Sequence, residues 1–353
     1  MSTVPSDDLR AVVFGAAGYV GGELLRLLSQ HPHVAEVVGV SESHAGEPWH
    51  VAHPTLRHVT PRREPARFAA ASDVEVEPAD LVFAALPHGE SQNRMGDWLA
   101  ADPALVVDLG ADFRVQDPEL YARHYGEHTA TDLVSAFQYA LADVRGSELS
   151  GARALAAPGC FATASLLALR VAAMAGPWAA TPTVFGVTGS SGSGARPKAT
   201  THHAFRSQNF FAYGSTGHRH EAEIDEQVRA WTGDEGAHVH LLPHSSPLVR
   251  GIHATCVVPL EEACGDPLGP AREAFPENAF VHVLDTPPRL ADVLHTNHAH
   301  LNAALRDNGH TLVVHCAIDN LVKGAAGQAV QAANLALGWD ETAGLTAPGA
   351  SPC

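Results

Sequence analysis

The chain has 353 residues, 45% of them hydrophobic, enough to bury a sizeable core, and its length points to two domains. The formal net charge is −17, with 22 basic against 39 acidic residues, which argues against a nucleic acid or an anionic membrane surface as the main partner. Five cysteines (Cys160, Cys256, Cys264, Cys316 and Cys353) without CxxC spacing argue against a disulfide framework or a zinc cluster. They fit a reducing, cytoplasmic setting. The polar N-terminal MSTVPSDD carries no signal-peptide core, and no apolar run reaches the roughly 18 residues of a membrane span.

Arg10–Phe14 (RAVVF) reads as a short strand. It leads into Gly15-Ala-Ala-Gly18-Tyr-Val-Gly21-Gly22 and a helical pattern over Glu23–Gln30. Strand, glycine turn and helix form the setting of a dinucleotide fingerprint, here spaced GxxGxxG. Gly15 permits the tight turn, Gly18 lets the backbone approach a pyrophosphate, and Gly21 lets helix and strand pack closely. Val34–Ser41 is the second strand, and its end carries Ser41-Glu42-Ser43. An acid there can hydrogen-bond the ribose 2′-hydroxyl of NAD, whereas an arginine suits the 2′-phosphate of NADP. Glu42 by itself favours NAD, and an exposed loop glutamate explains it equally well.

Asp80–Leu86 is a buried strand ending in Pro87-His88-Gly89, and Ala104–Leu109 is another, ending in Gly110-Ala-Asp-Phe-Arg114. Strands alternating with helices imply a parallel, doubly wound sheet with ligands at the carboxyl ends of its strands. That places His88 and Arg114 among candidate contacts. The other reading of Arg114 is a surface ion pair.

Ala152–Ala157 reads as a strand end, Pro158-Gly159 as a turn, and Thr163–Met174 as a helix. Cys160 therefore falls at or just before a helix N-terminus. Unpaired N–H groups and the helix dipole there favour a thiolate, the form a nucleophilic cysteine needs. A buried, inert cysteine is the alternative. Thr183–Thr188 is a strand running into GSSGSGARPK (189–198), either an anion-binding nest or a flexible connector.

His218-Arg219-His220 precedes a helix over Glu221–Trp231. An extended backbone across the pair would set both imidazoles on one side. A helix N-terminus would keep an imidazole neutral, as a base requires. With 23 histidines in the chain, ordinary structural histidines are the competing explanation. Arg250-Gly251 precedes an alternating strand, Ile252–Val258, and His298–Leu305 with Thr311–Ile318 read as a hairpin around Asn308-Gly309. The second half thus looks antiparallel or mixed. His295, His298 and His300 lack a partner carboxylate or cysteine spacing, so alternation along a strand explains them better than a metal does. Asp319-Asn320-Leu-Val-Lys323-Gly324 enters a final helix, Ala325–Leu337.

Taken together, GAAGYVGGELLRLL (15–28), ALPHG (85–89), VDLGADFR (107–114), APGCFAT (157–163), GSSGSGA (189–195), GHRHEAEI (217–224), RGI (250–252) and AIDNLVKGAAGQAVQAANLALGW (317–339) resemble the N-acetyl-γ-glutamyl-phosphate reductases. These lie within the aspartate-semialdehyde-dehydrogenase-like group, and the resemblance runs over nearly the whole chain. It implies a Rossmann-type nucleotide domain over 1–157 and 318–353 and an α+β catalytic and dimerisation domain over 158–317. It implies reduction of a small acyl phosphate with NADPH by a homo-oligomer, a dimer or tetramer. Cys160 would be the nucleophile, and His220 with His218 the acid–base and substrate-positioning pair. Arg114, Arg250 and Glu223 would meet the substrate. Gly15, Ala17, Gly18, Tyr19, Val20, Gly21, Ser41, Glu42, Ser43, Pro87, His88, Gly192 and Asn320 would meet the cofactor. The family commonly carries arginine where this chain has Glu42-Ser43, which leaves NAD open. A sister branch with the same motifs reduces a carrier-protein-linked aminoadipyl phosphate in lysine synthesis, and the motifs do not separate the two.

Overall fold

In the computed structural model, the described residues are 8–63 and 65–349. Cys353 and the outer ends of the expected domain spans lie outside them. The chain forms two units: one runs to Pro158 and resumes over Ala325–Ala347, and the other holds Gly159–Gly324.

The first unit contains β1 (Leu9–Phe14), α1 (Tyr19–Leu28), β2 (Val34–Val40), β3 (Phe68–Ala69), β4 (Leu81–Ala84), α2 (Gln92–Ala100), β5 (Leu105–Asp108) and α3 (Pro118–Tyr125). The single turns α4 (Thr131–Val134) and α5 (Ala142–Arg145), with β6 (Gln138–Tyr139) and β7 (Ala154–Ala156), complete its first segment. Its sheet has seven parallel strands in the order β3-β2-β1-β4-β5-β7-β6. β4 and β5 are buried along their whole length, as strands covered on both faces must be. Helix α1 starts at Tyr19, a turn earlier than its leucines alone suggest, because extended Gly18 caps it.

The second unit contains α6 (Cys160–Ala175), β8 (Thr183–Thr188), α7 (His203–Arg206), β9 (Phe211–Ala212), α8 (Glu221–Thr232), β10 (His240–Ser245), β11 (Ile252–Pro259), α9 (Gly269–Ala274), β12 (Val281–Val283), β13 (Ala299–Arg306) and β14 (Thr311–Ile318). Its mixed sheet runs β12-β13-β14-β11-β8-β10-β9. Burial alternates strictly along β11, the mark of a strand with one face on a core. That core is α6, which packs on β11, β14, α8 and α9. Its run of alanine, leucine and valine is apolar nearly all round, which suits a helix enclosed on several sides. The expected Asn-Gly hairpin turn is longer than a two-residue turn: Asp307, Asn308 and Gly309 all take positive φ. The last helix does not begin as a plain α-helix. A π turn, Val322–Ala326, precedes α10 (Gly327–Leu337), which packs on α1 and α5 of the first unit.

The fold buries Asp108 at the end of β5. Burial, reinforced by neighbouring Asp112, pushes its carboxyl up to about 7. The native state therefore holds a proton that the unfolded chain releases near its ordinary value of 3.8, so stability falls as pH rises across that window and the cost persists above it. Burial raises Asp225 as well, to about 6, and this group contributes in the same direction. Asp108→Asn can still accept from the Gly110 N–H but cannot ionise. The variant's advantage in melting temperature should grow by about 2 °C or more between pH 4.5 and pH 8. Equal differences at both pH values would show that Asp108 titrates as an exposed carboxylate.

Candidate active site

The nucleotide-binding features of the first unit gather where the strand order reverses, between β1 and β4. Gly15 has φ +76, and a Cβ on it would lie 2.3 Å from the Ala85 carbonyl oxygen just past β4, so only glycine fits there. The first turn of α1 carries no acidic residue, and its amides are available to an anion. Ala17, Gly18 and Val20 are half-buried and Tyr19 is exposed. This cradle suits the pyrophosphate of a dinucleotide. At the end of β2, Glu42 opens a short 3₁₀ turn and accepts from the Ala71 N–H at 2.8 Å, so one carboxylate oxygen serves to close its loop. The Ser41 and Ser43 hydroxyls lie 3.3 Å apart. Arg67, donating to the Gly46 carbonyl at 2.7 Å, brings a cation to this loop. The sequence gives no local sign of it, because the pairing of β3 with β2 puts it there.

Beyond β4 and β5 the loops are held by one buried carboxylate. Asp112 accepts from Gly89 N at 2.7 Å, Ser91 Oγ at 2.7 Å and Tyr121 Oη at 3.1 Å. Pro87 and His88 stay exposed at the tip of this braced loop. Arg114 is not a surface residue. It is 7% exposed, and its guanidinium donates to the carbonyls of Ala157 at 2.7 Å and Leu109 at 2.9 Å, tying the end of β5 to the end of β7.

In the second unit, Cys160 is the first residue of α6 and is half-buried, following Gly159 in extended conformation. Glu223, fully buried, accepts from Gly159 N at 3.0 Å. A Cβ on Gly159 would lie 2.6 Å from Glu223 Oε1 and 2.7 Å from His220 Nε2. The carboxylate and the imidazole edge thus press on the peptide that carries the thiol. His220 is the N-cap of α8 and Glu223 lies one turn on, so the helix period alone sets them on one face.

The histidine pair is not extended. His220 has φ −71 and ψ −12, its N–H donates to His218 Nδ1, and the rings meet edge to face at 4.8 Å. Phe161 packs on both rings. Gly324 closes on the thiol residue too: a Cβ there would lie 2.8 Å from Cys160 Cβ. Tyr213, which sequence reasoning missed, is pushed above its ordinary pKa by burial and by the nearby Cys160 thiol. Two other cysteines differ in kind. Cys256 and Cys316 are fully buried in the sheet, and burial drives the Cys256 thiol far from ionisation.

The glycine-serine loop is neither a flexible connector nor an open anion nest at its start. The N–H groups of Ser190 and Ser191 donate to the carbonyls of Leu248 and Val249, both at 2.9 Å. Asn320 braces the same place, donating to Ser191 Oγ at 3.0 Å and accepting from Gly251 N at 2.6 Å, with Gly192 against its amide. Of the three clustered histidines, His295 turns away, while His298 and His300 both pack on His282. His295 contacts Arg250, His298 bonds His282 at 2.8 Å, and only His300 lies within β13. Burial first, then His282, lowers His298 to about 4.

In the second unit, a half-buried thiol at a helix start with an imidazole edge against its peptide suits covalent chemistry at an acyl carbon; in the first, the glycine turn suits a dinucleotide. Comparison with known proteins agrees in class. Residues 10–152 match the family described as semialdehyde dehydrogenase, NAD binding domain, and residues 160–320 match the semialdehyde dehydrogenase dimerisation domain. An N-acetyl-γ-glutamyl-phosphate reductase of Rubrobacter xylanophilus is 38% identical over 340 residues, covering 94% of this chain and 97% of that protein. A LysW-L-2-aminoadipate 6-phosphate reductase of Deinococcus radiodurans is 36% identical over 352 residues, covering 96% and 97%. The fold matches Vibrio cholerae aspartate semialdehyde dehydrogenase II with TM-score 0.72 at 16% identity, over 94% of this chain and 98% of that one. The chain belongs to the semialdehyde dehydrogenase family of oxidoreductases, among the N-acetyl-γ-glutamyl-phosphate reductases and LysW-L-2-aminoadipate 6-phosphate reductases.

Proposed function

We propose that the protein is a cytoplasmic, homo-oligomeric reductase that converts N-acetyl-γ-glutamyl phosphate to N-acetylglutamate semialdehyde and phosphate, with Cys160 as nucleophile. The observation that carries this reading is the packing of His220 and Glu223 against Gly159, directly before a thiol at a helix N-terminus. The Cys160 thiolate attacks the acyl carbon, and phosphate leaves a thioacyl enzyme. N–H groups at the start of α6 stabilise the oxyanion. NADPH, when bound, supplies the hydride that reduces the thioester. His220 then donates the proton that lets the thiolate depart and the semialdehyde leave. Arg250 pairs with the substrate's carboxylate. Glu223 holds the Gly159 N–H and so fixes the turn that aims the thiol. Splitting one hard step into two is the gain of covalent catalysis.

NADP is the favoured cofactor because Glu42 is engaged with Ala71 and two hydroxyls and a cation stand on the same loop. The second reading, a carrier-linked aminoadipyl phosphate, is supported by relatives of comparable identity. A net charge of −17 with two lysines works against it, because an acidic carrier needs a basic docking surface.

Cys160→Ser should abolish reduction while leaving cofactor affinity nearly unchanged, since serine without a dedicated base is a poor nucleophile at neutral pH. More than about a tenth of parental turnover would sink the covalent route. His220→Asn should lower kcat about 100-fold or more, whereas His218→Asn should act mainly on KM. Unchanged pH–rate profiles in both variants would make the pair structural.

The deciding assay is kcat/KM for the free N-acetylated and the carrier-linked acyl phosphate, each with NADPH and NADH. The free substrate with NADPH should lead. A carrier-linked preference of about tenfold that collapses with added salt would select the other branch.

A further inference from the structure

We infer that Asp319 is a positioning residue that aims Arg250 and anchors the turn closing on Cys160. The inference rests on the reading of Arg250 as the partner of the substrate's carboxylate. Asp319 is fully buried and divides its two oxygens between two tasks. Oδ1 accepts from the N–H groups of Leu321 at 2.8 Å and Val322 at 2.9 Å, and the Asp319 carbonyl accepts from Gly324 N at 2.9 Å. These bonds shape the turn whose Gly324 would, with one added carbon, sit 2.8 Å from Cys160 Cβ. Oδ2 accepts from His295 N at 2.7 Å and pairs with Arg250 Nε at 3.3 Å. His295 stands in a left-handed conformation, φ +65, and its Nδ1 accepts from Arg250 Nη1. A non-glycine residue at that φ is held there by its surroundings, and here the holding contact is the Asp319 carboxylate. Arg250 is itself only 12% exposed at the side chain, so its flexible stem has lost the freedom to aim elsewhere. One carboxylate thereby couples the geometry of the anion-binding arginine to that of the thiol.

The two tasks are separable by substitution. In Asp319→Asn the amide oxygen can keep the Leu321 and Val322 bonds, while the amide nitrogen meets the His295 N–H donor against donor and offers Arg250 no negative charge. This variant should raise KM for the acyl phosphate about tenfold or more, the scale of one lost charge-assisted contact, and leave KM for NADPH unchanged. The rate of Cys160 alkylation by iodoacetamide, followed at that residue by mass spectrometry, should stay within about twofold of the parent. Adding Asp319→Asn to Arg250→Ala should change KM no further, because the arginine it aims is gone. Arg250→Lys keeps the charge and the turn but lacks the guanidinium nitrogen that stands 3.3 Å from Asp319 Oδ2 as an ion pair. It should reproduce the rise in KM, and it carries the test if Asp319→Asn does not fold.

Additive effects in the double variant, or a parental KM in Arg250→Lys, would overturn the positioning role. A parental KM in Arg250→Ala would instead overturn the carboxylate reading of Arg250. Failure of the unmodified protein to reduce either acyl phosphate would remove the catalytic reading and this inference with it.

Discussion

The second unit depends on the crowding at Gly159. The peptide before the thiol is gripped by a buried carboxylate and an imidazole edge, at distances that leave no room for a side chain. That contact orders several things together. It starts α6 at Cys160, spends the Gly159 N–H on Glu223, and brings the first turn of α8 against the first turn of α6. Burying Glu223 is costly unless the carboxylate is paired or hydrogen-bonded, and the Gly159 amide supplies part of that compensation. The arrangement persists because α6 is enclosed by sheet and helices and cannot shift to relieve the crowding.

The same economy recurs at other polar groups. Asp112 holds the β4 loop, Asp319 holds the turn before α10, and Asn320 holds the glycine-serine loop, each a buried side chain satisfied by backbone or hydroxyl donors. Loops that would otherwise be mobile become rigid supports. Residues with exposed ends, such as His88 and Tyr19, then project from stiff ground. Reactive groups need this, because a displacement of an ångström at the reacting atoms costs orders of magnitude in rate.

Much of this was legible in advance where the signal is local. The Gly15 turn, the strand ends at Pro87 and Gly110, and Cys160 at a helix start all follow from turn residues beside apolar runs. His220 and Glu223 share a face of α8 by helix spacing, though the sequence pointed to Glu223 only through the family resemblance. The reading failed where a residue's partner is distant. Arg114 could be read as a surface ion pair, yet it is buried and donates to two backbone carbonyls. The glycine-serine loop looked open, yet its first amides are engaged by Leu248 and Val249. Tyr213 gave no sign at all, since a lone tyrosine after a short strand is unremarkable until Cys160 is placed beside it.

The sequence by itself determined the parallel nucleotide-binding sheet, a second sheet that is antiparallel or mixed, and the position of the thiol, because these rest on periodicity and turn chemistry over a few residues. Only the tertiary structure decided which side chains surround that thiol and which carboxylate holds Arg250. Such contacts are set by strand order. β11 lies between β14 and β8, and this alone brings Gly251 to Asn320, 69 residues apart in the chain. A one-residue change of register would turn every one of those side chains to the opposite face.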